Sequence, residues 1–201
     1  MKKLLATLLI TASVFNGISA VSADQTISEK QDADIKVNGT LGADNTDPNS
    51  TISENDKDWI NVTLPTDTIF YNKATDSTIK APTYDIINNS GRPVKVSMNG
   101  FTASASNPAL PSDFTLNLNL NGNNVTTKSI KLVEKGALQS PTNEMITLSN
   151  SVNQYNSNDS VSELGKAVNN KASFTYSGTA TAKTALKVGY TLSLKFDSVA
   201  F

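Results

Sequence analysis

The sequence predicts an all-β protein, an antiparallel β-sandwich in an Ig-like or jelly-roll style preceded by a flexible acidic leader. Two observations carry this expectation. From Trp59 onward apolar and polar residues alternate with a period of two, as they do where a strand buries one face and wets the other. The alternating runs are divided by Asn, Gly, Pro and Ser clusters, which close turns and connections between strands.

The elements follow in chain order. Met1-Lys2-Lys3, an apolar run from Leu4 to Phe15, and Val21-Ser22-Ala23 ahead of Asp24 read as a secretory signal peptide over residues 1–23. The apolar run is too short for a stable bilayer-spanning helix, so a retained anchor is the weaker alternative. The exported chain is expected to begin at Asp24, outside the cell, with no membrane span in its mature form.

Residues 24–58 are rich in Asp, Asn, Ser and Thr and carry nine acidic residues against three lysines. With so little to bury, this stretch reads as a flexible leader. Its one alternating piece, Asp34 to Leu41, could form an edge strand of its own domain or of a neighbour's.

The sandwich is expected over residues 59–201. Ile60, Val62 and Leu64 alternate up to Pro65, and Thr68-Ile69-Phe70-Tyr71 follows. Thr83–Ile87 and Pro93–Met98, joined by Asn88-Asn89-Ser90-Gly91, read as a hairpin. Phe114, Leu116, Leu118 and Leu120 face one way, with Lys128–Val133 as the expected partner strand. Met145–Leu148, Ala172–Tyr176 and a last strand carrying Tyr190, Leu192, Leu194 and Phe196 complete the set. Ser162-Glu163-Leu164 could start one helical turn, which Gly165 weakens.

Composition removes whole classes of chemistry. The chain has no histidine and no cysteine, hence no Ser-His-Asp or Cys-His catalysis, no imidazole or thiolate metal site, no disulfide and no lipidated cysteine. No catalytic residues, metal or cofactor are expected. Nor is a nucleic-acid partner, because the body's twelve cations are scattered against nine acidic residues.

Carboxylates remain the only acid/base groups, and their spacing selects no pair. Asn45, Asp47, Asn49 and Asp56 approach a calcium loop, but Pro48 interrupts it and Ser50 stands where Gly belongs. Binding residues are expected on the wet strand face at Asn117 and Asn119, whose amides could hydrogen-bond sugar hydroxyls. Others are expected in the loop with Asn88, Asn89 and Arg92, and in the loop from Asn150 to Asp159 with Tyr155. Trp59 would either plug the end of the sandwich or form a ligand platform. Tyr190 and Phe196 are expected in the core.

Trp59-Ile60-Asn61-Val62-Thr63-Leu64-Pro65-Thr66, Phe70, and the stretch from Ala81-Pro82-Thr83-Tyr84 through Gly91-Arg92-Pro93 to Val96 resemble the opening of WxL-type surface proteins of low-GC Gram-positive bacteria. Where that family carries Trp-x-Leu motifs, this chain has Trp59-Ile60-Asn61 and Tyr190-Thr191-Leu192. The resemblance implies a signal peptide, a leader, a β-rich domain and non-covalent association with the cell wall, either peptidoglycan or a wall polymer. Tyr190, the aromatic substitute on the last strand, could keep the fold while the ligand differs, and it is also a candidate binding residue.

With neither a sortase signal nor a lipidated cysteine, retention would be non-covalent. The leading expectation is a secreted, non-catalytic surface protein that binds wall material or partner surface proteins. One rival is a structural subunit that uses Ile35–Leu41 to complete a neighbour's sheet by strand addition. The other is a carboxylate-based glycan hydrolase.

Overall fold

A computed structural model describes residues 42–161, 169–182 and 184–201. The signal peptide, the Asp34–Leu41 strand and the turn built on Ser162-Glu163-Leu164 lie outside the described residues. The described chain is an antiparallel β-sandwich of eleven strands. Among the described residues no helix is long and apolar enough to cross a membrane.

The strands are β1 (Val62–Thr63), β2 (Tyr71–Lys73), β3 (Asp76–Lys80), β4 (Tyr84–Asn88), β5 (Val94–Ala103), β6 (Thr115–Asn121), β7 (Ser129–Glu134), β8 (Ala137–Leu138), β9 (Asn143–Leu148), β10 (Lys171–Thr179) and β11 (Tyr190–Ser198). The larger sheet runs β1-β4-β10-β6-β7-β8, with β3 also paired to β10 and β2 to β3; the smaller runs β11-β5-β9. Alternation buries one flank of each long strand. Leu116, Leu118 and Leu120 of β6 meet Val94, Val96 and Met98 of β5 in one core with Ile86, Ile130, Leu148 and Phe174. Removing these side chains from water is the main stabilising term, about 1.5–3 kcal/mol for each large one.

Two local expectations change. Thr83–Ile87 and Pro93–Met98 do not pair as a hairpin: β4 lies between β1 and β10, while β5 lies between β11 and β9. The Asn88–Arg92 link instead carries the chain from one sheet to the other. Asn88 ties it down by donating from Nδ2 to the carbonyls of Arg92 and Ser149, 2.8 Å each.

The strand expected up to Leu64 pairs over only two residues, because the Asn61 N–H leaves the ladder for the Ser90 hydroxyl at 2.9 Å. The polar strand β3, with Ile79 as its single buried residue, gave no alternation to read. It pairs with β10 at Gly178 and Thr179, beyond the stretch where β4 pairs. Gly178 is required there: at φ +151°, any Cβ would overlap the Thr115 carbonyl of β6.

The largest difference concerns residues 42–58, expected to belong to the leader. They are part of the compact unit that runs to Phe201. A turn over Asp44–Ser50 packs on Gly91, whose N–H donates to the Asn45 carbonyl at 2.6 Å. A three-residue 3-10 turn, Lys57–Trp59, then seats Trp59 in the interior. Composition hid this because the contacts are polar and made to the backbone, so no apolar pattern marks them.

Candidate functional site

Three regions bear on function: the end of the sandwich at the Asn88–Arg92 link, the outer face of the larger sheet, and the open flank beside β11.

At the end of the sandwich several expected site residues are structural. Trp59 is fully buried and donates from Nε1 to the Ser53 carbonyl at 3.0 Å. Arg92, the chain's single arginine, is 7% exposed and lies between the rings of Trp59 and Phe201. Its Nε donates to both Glu54 carboxylate oxygens at 3.0 Å, Nη2 donates to Glu54 Oε1 at 2.6 Å, and Nη1 donates to the Pro48 carbonyl at 2.6 Å. That hydrogen bonding, with a smaller contribution from the positive charge, outweighs partial burial and holds the Glu54 carboxyl below its usual range.

Asn88 is fully buried, and its Oδ1 accepts from the Ser90 N–H at 3.0 Å. Asn150, also fully buried, donates to the Gly91 carbonyl and to Gln154 Oε1, 3.2 Å each. A buried polar cluster with its groups paired specifies an arrangement rather than offering a surface. Asn89 is half-buried and donates to Thr63 Oγ1 at 3.0 Å.

Tyr155 lies in the following loop, where its N–H donates to Asp159 Oδ2 at 2.7 Å. Its hydroxyl is enclosed without a partner among the described residues, and desolvation, then the Asp159 charge, pushes its pKa up.

The outer face of the larger sheet is different in kind. Asn117 and Asn119 stand outward on β6, in register with Ser177 and Thr175 of β10 and with Lys131 and Ser129 of β7. Ser129 Oγ donates to Asn119 Oδ1 at 2.9 Å, and Asn119 Nδ2 donates to Ser177 Oγ at 2.8 Å, a hydrogen-bonded row across three strands. Thr115 and Thr179 join their hydroxyls at 3.1 Å in the same lattice. Asn117, half-exposed, makes no side-chain hydrogen bond among the described residues. Lys131, beside Asn117, pairs with Glu134 at 2.6 Å, and Lys171 pairs with Asp85 at 2.8 Å. Between these two ion pairs the row is made of amides and hydroxyls.

The third region runs along β11. Tyr190 is half-buried, stacks on Phe101 with ring centroids 4.9 Å apart, and lines two adjoining cavities of about 290 and 580 Å³. Its hydroxyl is enclosed and has no partner among the described residues, and burial raises its pKa. The opposite wall is the stretch Leu64–Phe70. It is fixed where the Ile69 N–H donates to Tyr84 Oη at 2.7 Å and where Thr68 and Tyr176 join hydroxyls at 2.9 Å.

The structure therefore gathers Trp59, Asn88 and Arg92 at one buried end and Asn117 with Asn119 on one open face. Tyr155 follows Gln154, whose partner Asn150 belongs to the buried end, and Tyr190 stands in the groove beside β11. Sequence reading missed Glu54 and Phe201, the partners of Arg92. The available signal was scarcity, since the only tryptophan and the only arginine stack on one another.

Many of the described carboxylates are engaged at the surface. Asp76 pairs with Lys80 at 3.3 Å, Asp197 with Lys195 at 2.7 Å, and Asp113 accepts from the Thr181 N–H at 3.2 Å. In the stretch that approaches a calcium loop, Asp47 accepts from the Asn49 N–H at 2.8 Å, and Asn45 accepts from the Asn61 amide at 3.1 Å. Comparison with protein-family models, with curated proteins and with solved structures gives no match.

Proposed function

We propose that this chain is a secreted, non-catalytic cell-surface protein, WxL-like, that associates non-covalently with the cell wall. The observation that supports this reading is the lattice of amides and hydroxyls made by Asn117, Asn119, Ser129, Ser177 and Thr115 on the outer face of the larger sheet. Amides and hydroxyls on a flat strand surface offer donors and acceptors in rows, the complement of the hydroxyls and acetamides of a wall glycan. Rigid strands hold those groups in place before binding, which lowers the ordering cost of a weak, multi-point contact. Asn117 is the principal contact, because its amide is not already taken up within the lattice.

The test is co-sedimentation of the purified protein with isolated peptidoglycan. Wild type is expected in the pellet. An Asn117→Ala, Asn119→Ala double variant is expected to bind at least tenfold more weakly while its melting curve stays within a few degrees of wild type. Retention no greater than that of an unrelated secreted protein rejects wall binding. Full retention of the double variant rejects this face.

A further inference from the structure

The geometry points to the open edge of β11 as an acceptor for strand addition, filled by the Ile35–Leu41 segment of a second copy of this chain. Four observations meet there. Strand β11 pairs only with β5, and among the described residues nothing pairs with its other edge over Tyr190–Ser198. Such an edge presents a row of backbone donors and acceptors ready for another strand.

The inward side chains of the smaller sheet are not equally covered. Val94, Val96, Met145 and Leu148 on β5 and β9 are 0% exposed, whereas Tyr190, Leu192, Leu194 and Phe196 on β11 are only partly buried. The deficit lies on one flank, the one an added strand would cover.

Space lies beside that edge. The cavities of about 290 and 580 Å³ share Tyr176, Tyr190 and Leu192 and so form one groove between β11 and the Leu64–Phe70 stretch. Its rim carries Leu64, Ile69 and Leu186, with Ile69 59% exposed. The Tyr190 hydroxyl, enclosed and unpartnered among the described residues, adds a polar group that a backbone passing through the groove could satisfy.

The occupant follows from the sequence. In Asp34-Ile35-Lys36-Val37-Asn38-Gly39-Thr40-Leu41 apolar and polar residues alternate, so a strand here would place Ile35, Val37 and Leu41 on one side. Its eight residues fall one short of the nine of β11. It ends directly before Gly42, where the described domain begins. Residues 24–41 would reach roughly 60 Å when extended at about 3.3 Å per residue, enough to enter a neighbour. Backbone hydrogen bonds to β11 would supply affinity, and alternate side chains in the groove would supply register. A leader given to the next copy builds chains of subunits where the exchange runs head to tail and a closed pair where it is reciprocal. Strand addition at β11 leaves the outer face of the larger sheet, the face assigned to wall binding, uncovered.

Sedimentation velocity on the exported chain, beginning at Asp24, tests the proposal. Wild type is expected to form species of two or more copies as its concentration rises. Val37→Asp, a change outside the described domain, is expected to weaken that association at least tenfold while the melting curve and peptidoglycan retention stay as in wild type. A photo-crosslinker at position 37 in a mixture of isotopically light and heavy protein should join light to heavy copies within Tyr190–Leu194. A monomer at every concentration, association unmoved by Val37→Asp, or crosslinks confined to one copy overturns the proposal. Retention on peptidoglycan alongside any of these results would leave the wall reading standing.

Discussion

Arg92 lies over Trp59 with its guanidinium carbon 4.3 Å from the ring centroid, and the two side chains join the segment before the sandwich to the link between its sheets. The ring of Phe201 covers the other side at 4.4 Å. A planar, weakly hydrated guanidinium suits this place, since it stacks on both rings while its edge donates to Glu54 and Pro48. Arg92→Ala is expected to cost about 2–3 kcal/mol, chiefly because Trp59 and Phe201 lose the buried side chain packed between them and the Pro48 carbonyl loses its donor, with a smaller share from the half-exposed Glu54. Arg92→Lys should lose about 1–2 kcal/mol, keeping the charge but neither the fork nor the stacking. Urea unfolding followed by the fluorescence of Trp59 measures both.

The same ion pair sets an acid limit. The Glu54 carboxyl is held below its ordinary value of 4.5, first by the Arg92 hydrogen bond. A carboxyl depressed in the folded state contributes stability that is fully present above its unfolded value and is lost as pH falls through the folded one. Stability should therefore hold from neutrality down to about pH 4.5 and decline below it. Glu54→Gln should lower the plateau and flatten the decline. Melting temperatures taken between neutral and acid pH would show it.

Gly91 tests whether residues 42–58 are part of the domain. A Cβ at this position would stand 2.7 Å from the Asp47 carbonyl carbon and 2.8 Å from the Pro48 nitrogen, both fixed backbone. Gly91→Ala is expected to push the turn off the sandwich at a cost of about 1–3 kcal/mol. Protease cleavage between residues 42 and 58 should then become faster while the circular dichroism of the sheets is retained. A chain started at Trp59 should melt well below one started at Gly42.

Asn88 is a test of buried polar pairing. Asn88→Asp keeps the shape but removes two donors from the carbonyls of Arg92 and Ser149 and places an acid where no water reaches. The expected loss is about 3 kcal/mol, since unsatisfied buried groups cost more than a hydrogen bond contributes. The variant should recover part of the loss at acid pH, where the new carboxyl is neutral, which Asn88→Ala would not do.

Tyr190 gives the opposite sign. Its hydroxyl is enclosed without a partner among the described residues, so Tyr190→Phe removes a desolvated group while keeping the stack on Phe101. Stability should stay level or rise by up to about 1 kcal/mol. Denaturant midpoints of the two proteins decide this.

Much of the sandwich was legible because burial on one face writes itself into the chain. Phe114, Leu116, Leu118 and Leu120 announce β6 and its direction, and β7 follows as its partner. What escaped was whatever rests on pairing between distant polar groups. The Asn88–Gly91 turn has hairpin composition, yet hydrogen bonds to Ser149 and Asn170 decide that the chain crosses between sheets.

The candidate site divides in the same way. Asn117 and Asn119 could be placed on a wet face by period alone. Composition cannot tell whether Arg92 in a turn points to solvent or to Glu54, thirty-eight positions earlier. Nor could it show the groove beside Tyr190, which exists because two sheets of unequal width face each other.

The stack on Arg92 also imposes an order of events. A polypeptide leaves the ribosome amino end first, so Glu54, Trp59 and Arg92 emerge well before Phe201. The guanidinium gains its second ring only after Phe201 has been made. Until that moment the guanidinium is covered by an aromatic ring on the Trp59 side alone.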